Sequence, residues 1–401
     1  MKVIHLTTTT SGGAGRAAVR SVSALKSMGV DAELLSRDEA KEQLLKISRF
    51  RGLKFSAMSS VITLFQRLFI QNSEELVTAL STDLFQKNRQ FIKFLEGFDV
   101  VHFHASYNFF NPGRLLNLLG EIPIVVTLHD QRFLTGGCHY STNCQRFKSN
   151  CSNCPKVSLL GEEIVQYQRE AMSNWISKSN SQRLHLVAPS TWMQNQIKAI
   201  SEYNEVASTV VYNCVPSSFF QESIESSVTS KEFRVGVIAT DIFNPYKGYD
   251  FFCQGVSHLN KKHGIKLKIL LVTNTNKRNI PNLDENTEVV FPKDDHDYLQ
   301  ILDSLSVVCV PSSSDNSPNV IAESLARGVT VVTSNSGGVG EIPSKLGLKI
   351  FEFGDLEGFC DALMIGLSKS RLSTEQQALI RNIASEKTHA SELRKIYDSM
   401  I

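Results

Sequence analysis

Asp315 and Glu323 are two carboxylates with seven residues between them, and they bracket the stretch of chain best suited to chemistry. An apolar run, Val307-Val308-Cys309-Val310, reads as a buried strand feeding the polar segment Pro311-Ser312-Ser313-Ser314. Asn316 or Ser317 reads as the cap of a following helix, with Pro318 in its first turn. Asp315 then sits at the helix mouth and Glu323 about two turns inside. The backbone N–H groups around Asn316, Ser317 and Asn319, with the positive end of the helix dipole, suit a diphosphate. A nucleotide-sugar has the matching layout of sugar, diphosphate and ribose. These residues alone fit an ordinary strand–helix unit with solvated acids equally well.

The next residues add to the pattern. Val329-Thr330-Val331-Val332-Thr333 reads as another buried strand, and Ser334-Asn335-Ser336-Gly337-Gly338-Val339-Gly340-Glu341 as a glycine-rich turn after it. Here the chain resembles the retaining glycosyltransferases of family 4, which have the GT-B fold. That family carries an acid, seven residues and a glutamate, then an apolar strand and a Gly-Gly-x-x-Glu turn. The first acid is Asp315 where many members have Glu, one methylene longer. The resemblance implies that Asp315 orients the donor sugar and Glu323 holds the ribose.

The same resemblance gives roles to other positions. Lys247, in Tyr246-Lys247-Gly248, is the expected diphosphate cation. An arginine usual six residues earlier is Asp241 here, so part of the customary clamp is missing. Gly12, Gly13 and Gly15 follow the first strand in Ser11-Gly12-Gly13-Ala14-Gly15-Arg16; such glycines let backbone approach a phosphate, and Arg16 adds charge. Without a third correctly spaced glycine this is not the dinucleotide fingerprint, and a plain tight turn fits as well. His129 closes an apolar strand and is expected to project towards the donor sugar or the acceptor, with His102 and His104 as packing or acceptor-side residues. Phe291 is either a lining of the nucleotide base pocket or a core aromatic. Asp294-Asp295-His296-Asp297 holds an acid-x-acid pattern that reads better as a solvated loop than as a metal site.

Cys138, Cys144, Cys151 and Cys154 are separated by five, six and two residues, in a stretch rich in Ser, Asn and Gly. Four thiolates this close suit a structural Zn²⁺, with His139 as a substitute ligand; reduced thiols or two disulfides are the other readings. No cofactor is expected for transfer itself.

Placing these groups requires strands that alternate with helices. Such strands are expected at Lys2–Leu6, Asp31–Leu35, Asp99–Phe103, Ile124–Leu128, Leu184–Ala188 and Thr209–Tyr212. A second set is expected at Arg234–Ile238, Lys266–Val272, Glu288–Phe291, Ser306–Pro311, Val329–Thr333 and Leu348–Phe351. The pattern predicts an α/β protein with two Rossmann-like, doubly wound parallel-sheet domains facing a cleft, the GT-B arrangement that the resemblance implies. Residues 1–215 form the acceptor-side domain and 216–384 the nucleotide-sugar domain, with Ser217–Ser230 as linker. A last helix, about 385–401, is expected to pack back on the first domain.

At 401 residues the chain can bury two cores of roughly 200 residues each. A composition of 42% hydrophobic and 20% charged residues excludes a disordered chain. No run reaches the ~18 apolar residues of a spanning helix. The short apolar start Met1–Thr7 reads as a strand rather than a signal peptide, which makes the cytoplasm the default expectation. Net charge is +2, yet residues 1–200 carry 23 Lys and Arg against 15 Asp and Glu, an excess of +8, and the remaining 19 against 25 leave −6. The basic half suits an anionic partner such as a lipid diphosphate or an anionic membrane face. The segment Arg49–Ile70, with basic residues bordering bulky apolar ones, suits either a membrane surface or the core. Basic and aromatic residues are not interleaved, so nucleic acid is not an expected partner.

The family reading therefore expects retaining transfer from a UDP- or GDP-sugar to a saccharide, as on a polyprenyl-diphosphate-linked glycan, in bacterial exopolysaccharide or colanic-acid-type synthesis. A sugar-nucleotide epimerase of the same fold and a catalytically silent sugar-binding protein are the alternatives.

Overall fold

Twelve short apolar segments pair into two parallel sheets in the computed structural model, which describes residues 1–37, 39, 89–104, 118–157, 159–178, 183–221, 233–274, 280, 285–369 and 371–401. The first sheet contains β1 (Lys2–Thr7), β2 (Asp31–Ser36), β3 (Val100–Phe103), β4 (Ile124–Thr127), β5 (Leu184–Ala188) and β6 (Ala207–Val210), in the order β2-β1-β3-β4-β5-β6. The second contains β7 (Arg234–Ile238), β8 (Lys268–Val272), β9 (Thr287–Val290), β10 (Val307–Val310), β11 (Thr330–Ser334) and β12 (Ile350–Phe351), in the order β12-β11-β10-β7-β8-β9. Each of the twelve expected strands is present. β6 begins two residues early, and the others shift by three residues or fewer.

The second order is that of a dinucleotide-binding sheet. It reverses between β7 and β10, and ligands of open parallel sheets lie beyond the carboxyl ends of the strands at such a reversal. In the first sheet the reversal falls between β1 and β3. The described helices are α1 (Gly12–Ser27), α2 (Arg89–Leu95), α3 (Leu159–Lys178), α4 (Thr191–Lys198), α5 (Tyr249–His263), α6 (Asp295–Asp303), α7 (Asn319–Ala326), α8 (Glu341–Lys345), α9 (Leu356–Ser368), α10 (Thr374–Ala384) and α11 (Glu386–Asp398).

Strand alternation divides the second core between the two faces of its sheet. Val308 and Val310 of β10 pack with Ile321 and Leu325 of α7, while Val307 and Cys309 pack with Phe359 and Leu363 of α9. Both faces are covered, so the strands read as unbroken apolar runs.

The chain forms two units, residues 1–211 with 389–401 and residues 212–388. Helix α11 carries the chain from the second to the first, where His389, Leu393 and Tyr397 are buried. Of the expected linker Ser217–Ser230, residues 222–230 lie outside the described residues, and Ser217–Phe220 belongs to the second unit. It is a 3-10 turn whose Phe219 is fully buried in the core of the second unit, edge-on to Tyr298. The Arg49–Ile70 segment lies outside the described residues. No helix among the described residues is long and apolar enough to cross a membrane.

Candidate functional site

In the second unit, a turn after β7 and a loop after β10 meet at the sheet reversal. Pro245–Lys247 is a 3-10 turn capped by Asn244, whose Oδ1 accepts the Tyr246 N–H at 3.0 Å. Gly248 ends it at φ 69°, and a Cβ there would stand 1.9 Å from the Pro311 carbonyl oxygen. Only glycine allows this approach. Ser313 N–H donates to the Tyr246 carbonyl at 2.9 Å, which fixes the two segments together.

This frame brings Lys247 and Asp315 into contact, with Nζ 2.6 Å from Oδ2. The lysine side chain is 32% exposed and the aspartate side chain 11%. The other carboxylate oxygen accepts the Asn316 N–H at 2.8 Å. Asp315 also bridges in parallel with Gly337 of the glycine-rich turn, whose φ is 67° and where a Cβ would meet the Asp315 carbonyl at 2.2 Å. The tight Gly-Gly turn therefore sets the aspartate.

Helix α7 starts later than its sequence suggests. Pro318, and neither Asn316 nor Ser317, is the N-cap, and no side chain caps the first turn. The reason is local: Asn316 is buried and gives its N–H to Asp315, and Ser317 and Asn319 are tied by Asn213, whose Nδ2 reaches the Ser317 carbonyl and Asn319 Oδ1. First-turn N–H groups without a side-chain cap can accept an anion. Glu323 lies one turn further along, 1% exposed, and its Oε2 accepts the Tyr298 hydroxyl at 2.8 Å. Tyr298 was not singled out in the sequence; a tyrosine on α6 gives no local sign of facing α7.

Two ambiguities resolve. Phe291 is 45% exposed just past the edge strand β9, which rules out the core reading. The Asp294–Asp297 cluster is a helix start rather than a loop: Asp294 caps α6 through the Asp297 N–H at 2.8 Å, and Asp297 accepts the Lys293 N–H at 3.0 Å. Asp241, in the place of the family's arginine, caps its own turn through the Phe243 N–H at 3.0 Å.

In the first unit, Ser11 precedes α1 without a side-chain cap bond, and Gly12 has φ 73°. A Cβ on Gly15 would fall 2.4 Å from the Thr9 carbonyl, so this glycine is required for the strand–helix turn. Nothing lies within 4 Å of a Cβ built on Gly13, and Arg16 is exposed.

Half-buried His129 ends a chain of imidazoles, the rest of them buried, that the sequence did not reveal. His129 Nε2 is 2.9 Å from His104 Nδ1, and His104 Nε2 is 2.8 Å from His5 Nδ1. His5 Nε2 lies 3.3 Å from the Tyr397 hydroxyl, which is 2.6 Å from His102 Nδ1; His102 Nε2 is 2.7 Å from Thr127 Oγ1. Burial, with neighbouring histidines, lowers the pKa values of His5 to about 3 and of His102 and His104 well below the usual 6.5. Burial lowers that of His129 to about 4, against an upward pull from Asp130. All four are neutral near pH 7. With one proton each, the chain satisfies every link in two opposite directions. His129 Nδ1 is an acceptor in one and a donor in the other. The available signal was the His-x-His spacing at the end of β3, where extended backbone puts 102 and 104 on one face, beside His5 on a paired strand.

Two doubly wound parallel sheets, one with a lysine–aspartate pair at its reversal, define a GT-B glycosyltransferase fold. Residues 11–219 match the family model described as Glycosyltransferase Family 4, and residues 233–368 match Glycosyl transferases group 1. The chain belongs to glycosyltransferase family 4. Among curated proteins it is similar to WcaC of Escherichia coli (strain K12), assigned as a colanic acid biosynthesis glycosyl transferase, with 19% identity over 62% of this chain and 63% of that protein. The match thus spans less than two thirds of WcaC. Among solved structures, sucrose-phosphate synthase from Thermosynechococcus elongatus superposes with a TM-score of 0.64 at 11% identity, covering 100% of this chain and 99% of that one. HepE of Anabaena in complex with UDP superposes with a TM-score of 0.60 at 15% identity, covering 100% of both.

Proposed function

We propose that this chain is a retaining glycosyltransferase that moves a sugar from a UDP- or GDP-sugar to a saccharide carried on a lipid diphosphate, in bacterial surface polysaccharide assembly. The observation that carries the reading is the Lys247–Asp315 pair beside a helix N-terminus without a side-chain cap. Lys247 and the N–H groups of α7 neutralise charge that grows on the departing diphosphate, without need of a metal ion. Asp315 then trades its lysine for the hydroxyls of the transferred sugar. Glu323 trades its tyrosine for the ribose, and Phe291 offers an exposed ring to the base. Departure of the diphosphate on the face that the acceptor approaches gives retention.

The first unit is assigned to the acceptor, with His129 as its polar group, while the Gly12–Gly15 turn is assigned, as its sequence suggests, to a phosphate. The +8 excess over residues 1–200 supports an anionic acceptor. The likeness to WcaC supports the polysaccharide role, and the UDP held by HepE supports a nucleotide-sugar donor.

A binding experiment tests the donor side. Glu323→Ala is expected to weaken UDP or GDP binding by about 10- to 150-fold, because ribose hydroxyls lose a charged acceptor, about 1.5–3 kcal/mol. Tyr298→Phe, which leaves the carboxylate in place, changes affinity less than about threefold. Calorimetry that finds equal affinities for wild type and Glu323→Ala would remove Glu323 from the site.

A further inference from the structure

Between Leu134 and Val157 the first unit forms no strand and no helix longer than the 3-10 turn Arg146–Lys148. A connection of that length inside a folded domain is uncommon unless something holds it. Even so, Tyr140, Phe147 and Cys151 are buried. The three non-glycine residues with positive φ among those described all lie here: Thr142 at 52°, Cys151 at 60° and Asn153 at 52°. A left-handed residue costs roughly 1–2 kcal/mol unless it is glycine, and persists where its surroundings over-determine it.

The same loop carries four cysteines. Cys138, Cys144, Cys151 and Cys154 line one cavity of about 20 Å³, walled also by Phe147 and Val165, and none of the four is in a disulfide. The space holds about one water or one small ion. Thiols are weak hydrogen-bond partners, so water is poorly held there. A set of four soft sulfurs selects a d¹⁰ divalent ion with no preferred geometry.

We propose that these four cysteines bind one Zn²⁺ as a closed structural site that folds the loop. Each thiol loses its proton to solvent, so one zinc displaces four protons, and the tetrathiolate carries a net charge of −2. Two cations lie close to this loop. Lys156 lines the cavity and is tethered to the Tyr140 carbonyl at 3.1 Å. Arg169 is fully buried on the neighbouring helix α3, with Nε on the carbonyl of cavity-lining Phe147 at 2.8 Å and Nη2 paired with Glu202 at 3.2 Å.

The competing trio is His5, His102 and His104, whose ligand nitrogens lie within 4.8 Å of one another. Those nitrogens already complete the imidazole chain, and a cation would break it. The sulfurs ring their cavity more widely, and closing on an ion at ~2.3 Å draws the loop together. His139, the substitute ligand, does not line the cavity; its Nε2 faces Asp130 at 3.6 Å and its ring packs on Tyr140. Four protein ligands leave no open position, so the site is structural.

Wild-type protein purified without chelator or added metal is expected to contain about one zinc per chain. Its Co²⁺-exchanged form should show the thiolate charge-transfer and d–d bands of tetrahedral cobalt. The Cys144→Ser, Cys154→Ser double variant should retain less than about a tenth of the metal, whereas Cys214→Ser, in the other unit, should keep it all. Should the double variant not fold, the wild-type stoichiometry and cobalt spectrum decide alone. Metal-free wild type with four freely titrating thiols, two disulfides among the four cysteines, iron in place of zinc, or full zinc in the double variant would each overturn the proposal.

Discussion

Lys247→Ala is expected to lower kcat/KM for sugar transfer by about 10²- to 10³-fold with little change in thermal stability, the range seen when one preorganised electrostatic group is removed. The side chain is one-third exposed and rises from a turn that Asn244, Gly248 and Pro311 hold independently of it. Its loss therefore spares the fold. It removes the cation that faces the leaving diphosphate and leaves Asp315, 11% exposed, without its counter-charge. Lys247→Arg is not expected to rescue fully, because a planar fork does not occupy the position of a compact ammonium. Asp315→Asn should separate the roles: nucleotide affinity stays within about threefold while turnover falls by at least about tenfold. Steady-state rates over a panel of UDP- and GDP-sugars measure both. Lys247→Ala at more than about a third of wild-type kcat/KM contradicts the assignment.

The second large effect is acid sensitivity of the first unit. His5, His129 and His185 have folded pKa values of about 3, 4 and 4, and those of His102 and His104 are also well depressed, all chiefly by burial. In the unfolded chain they return to about 6.5. Between these values the unfolded chain binds more protons, so stability rises with pH. The stabilisation is complete above about pH 6.5 and is lost as pH falls towards the folded values. Each histidine contributes a slope of up to ~1.4 kcal/mol per pH unit, and five give a limit of roughly 7 kcal/mol per unit. Against a total stability of about 5–15 kcal/mol, the unit should open near pH 4–5. His185 stands outside the imidazole chain and bonds only Thr209 among the hydrogen bonds described, at 2.9 Å. His185→Gln should reduce proton uptake on unfolding by about one without severing the chain. Urea titrations followed by circular dichroism from pH 7.5 to 4 provide the slope. A flat profile above pH 4.5 would show that these imidazoles are not buried neutral groups.

The elements of the fold were legible because both sheets are buried on two faces. Runs such as Val307–Val310 and Val329–Thr333 carry their strand character in every residue, and glycines mark the turns that follow. The Lys247–Asp315 contact was legible only as two separate expectations, each from its position after a strand. Their meeting at 2.6 Å depends on Gly248 and Gly337, where side chains would collide with Pro311 and Asp315. Helix caps were less legible: Asn316 and Ser317 are good capping types, but the Asn316 N–H is bound by Asp315 and the Ser317 carbonyl by Asn213, and the helix starts beyond Pro318. The imidazole chain was hidden for a different reason. It joins positions 5, 102, 104, 129 and 397, and no local pattern reports the register that stacks β1 on β3 or the docking of Tyr397 on α11.

Acceptor-dependent release of a nucleoside diphosphate tests the central claim most directly. The purified chain would be incubated with individual UDP- and GDP-sugars, with and without a lipid-diphosphate-linked saccharide, and the product anomer read by NMR. The expected result is diphosphate release with one donor, stimulated by the acceptor, abolished in Lys247→Ala, and giving a product with the donor's anomeric configuration. Inverted configuration would refute retention. Epimerised donor without acceptor, or tight nucleotide-sugar binding with no turnover across the panel, would contradict the account.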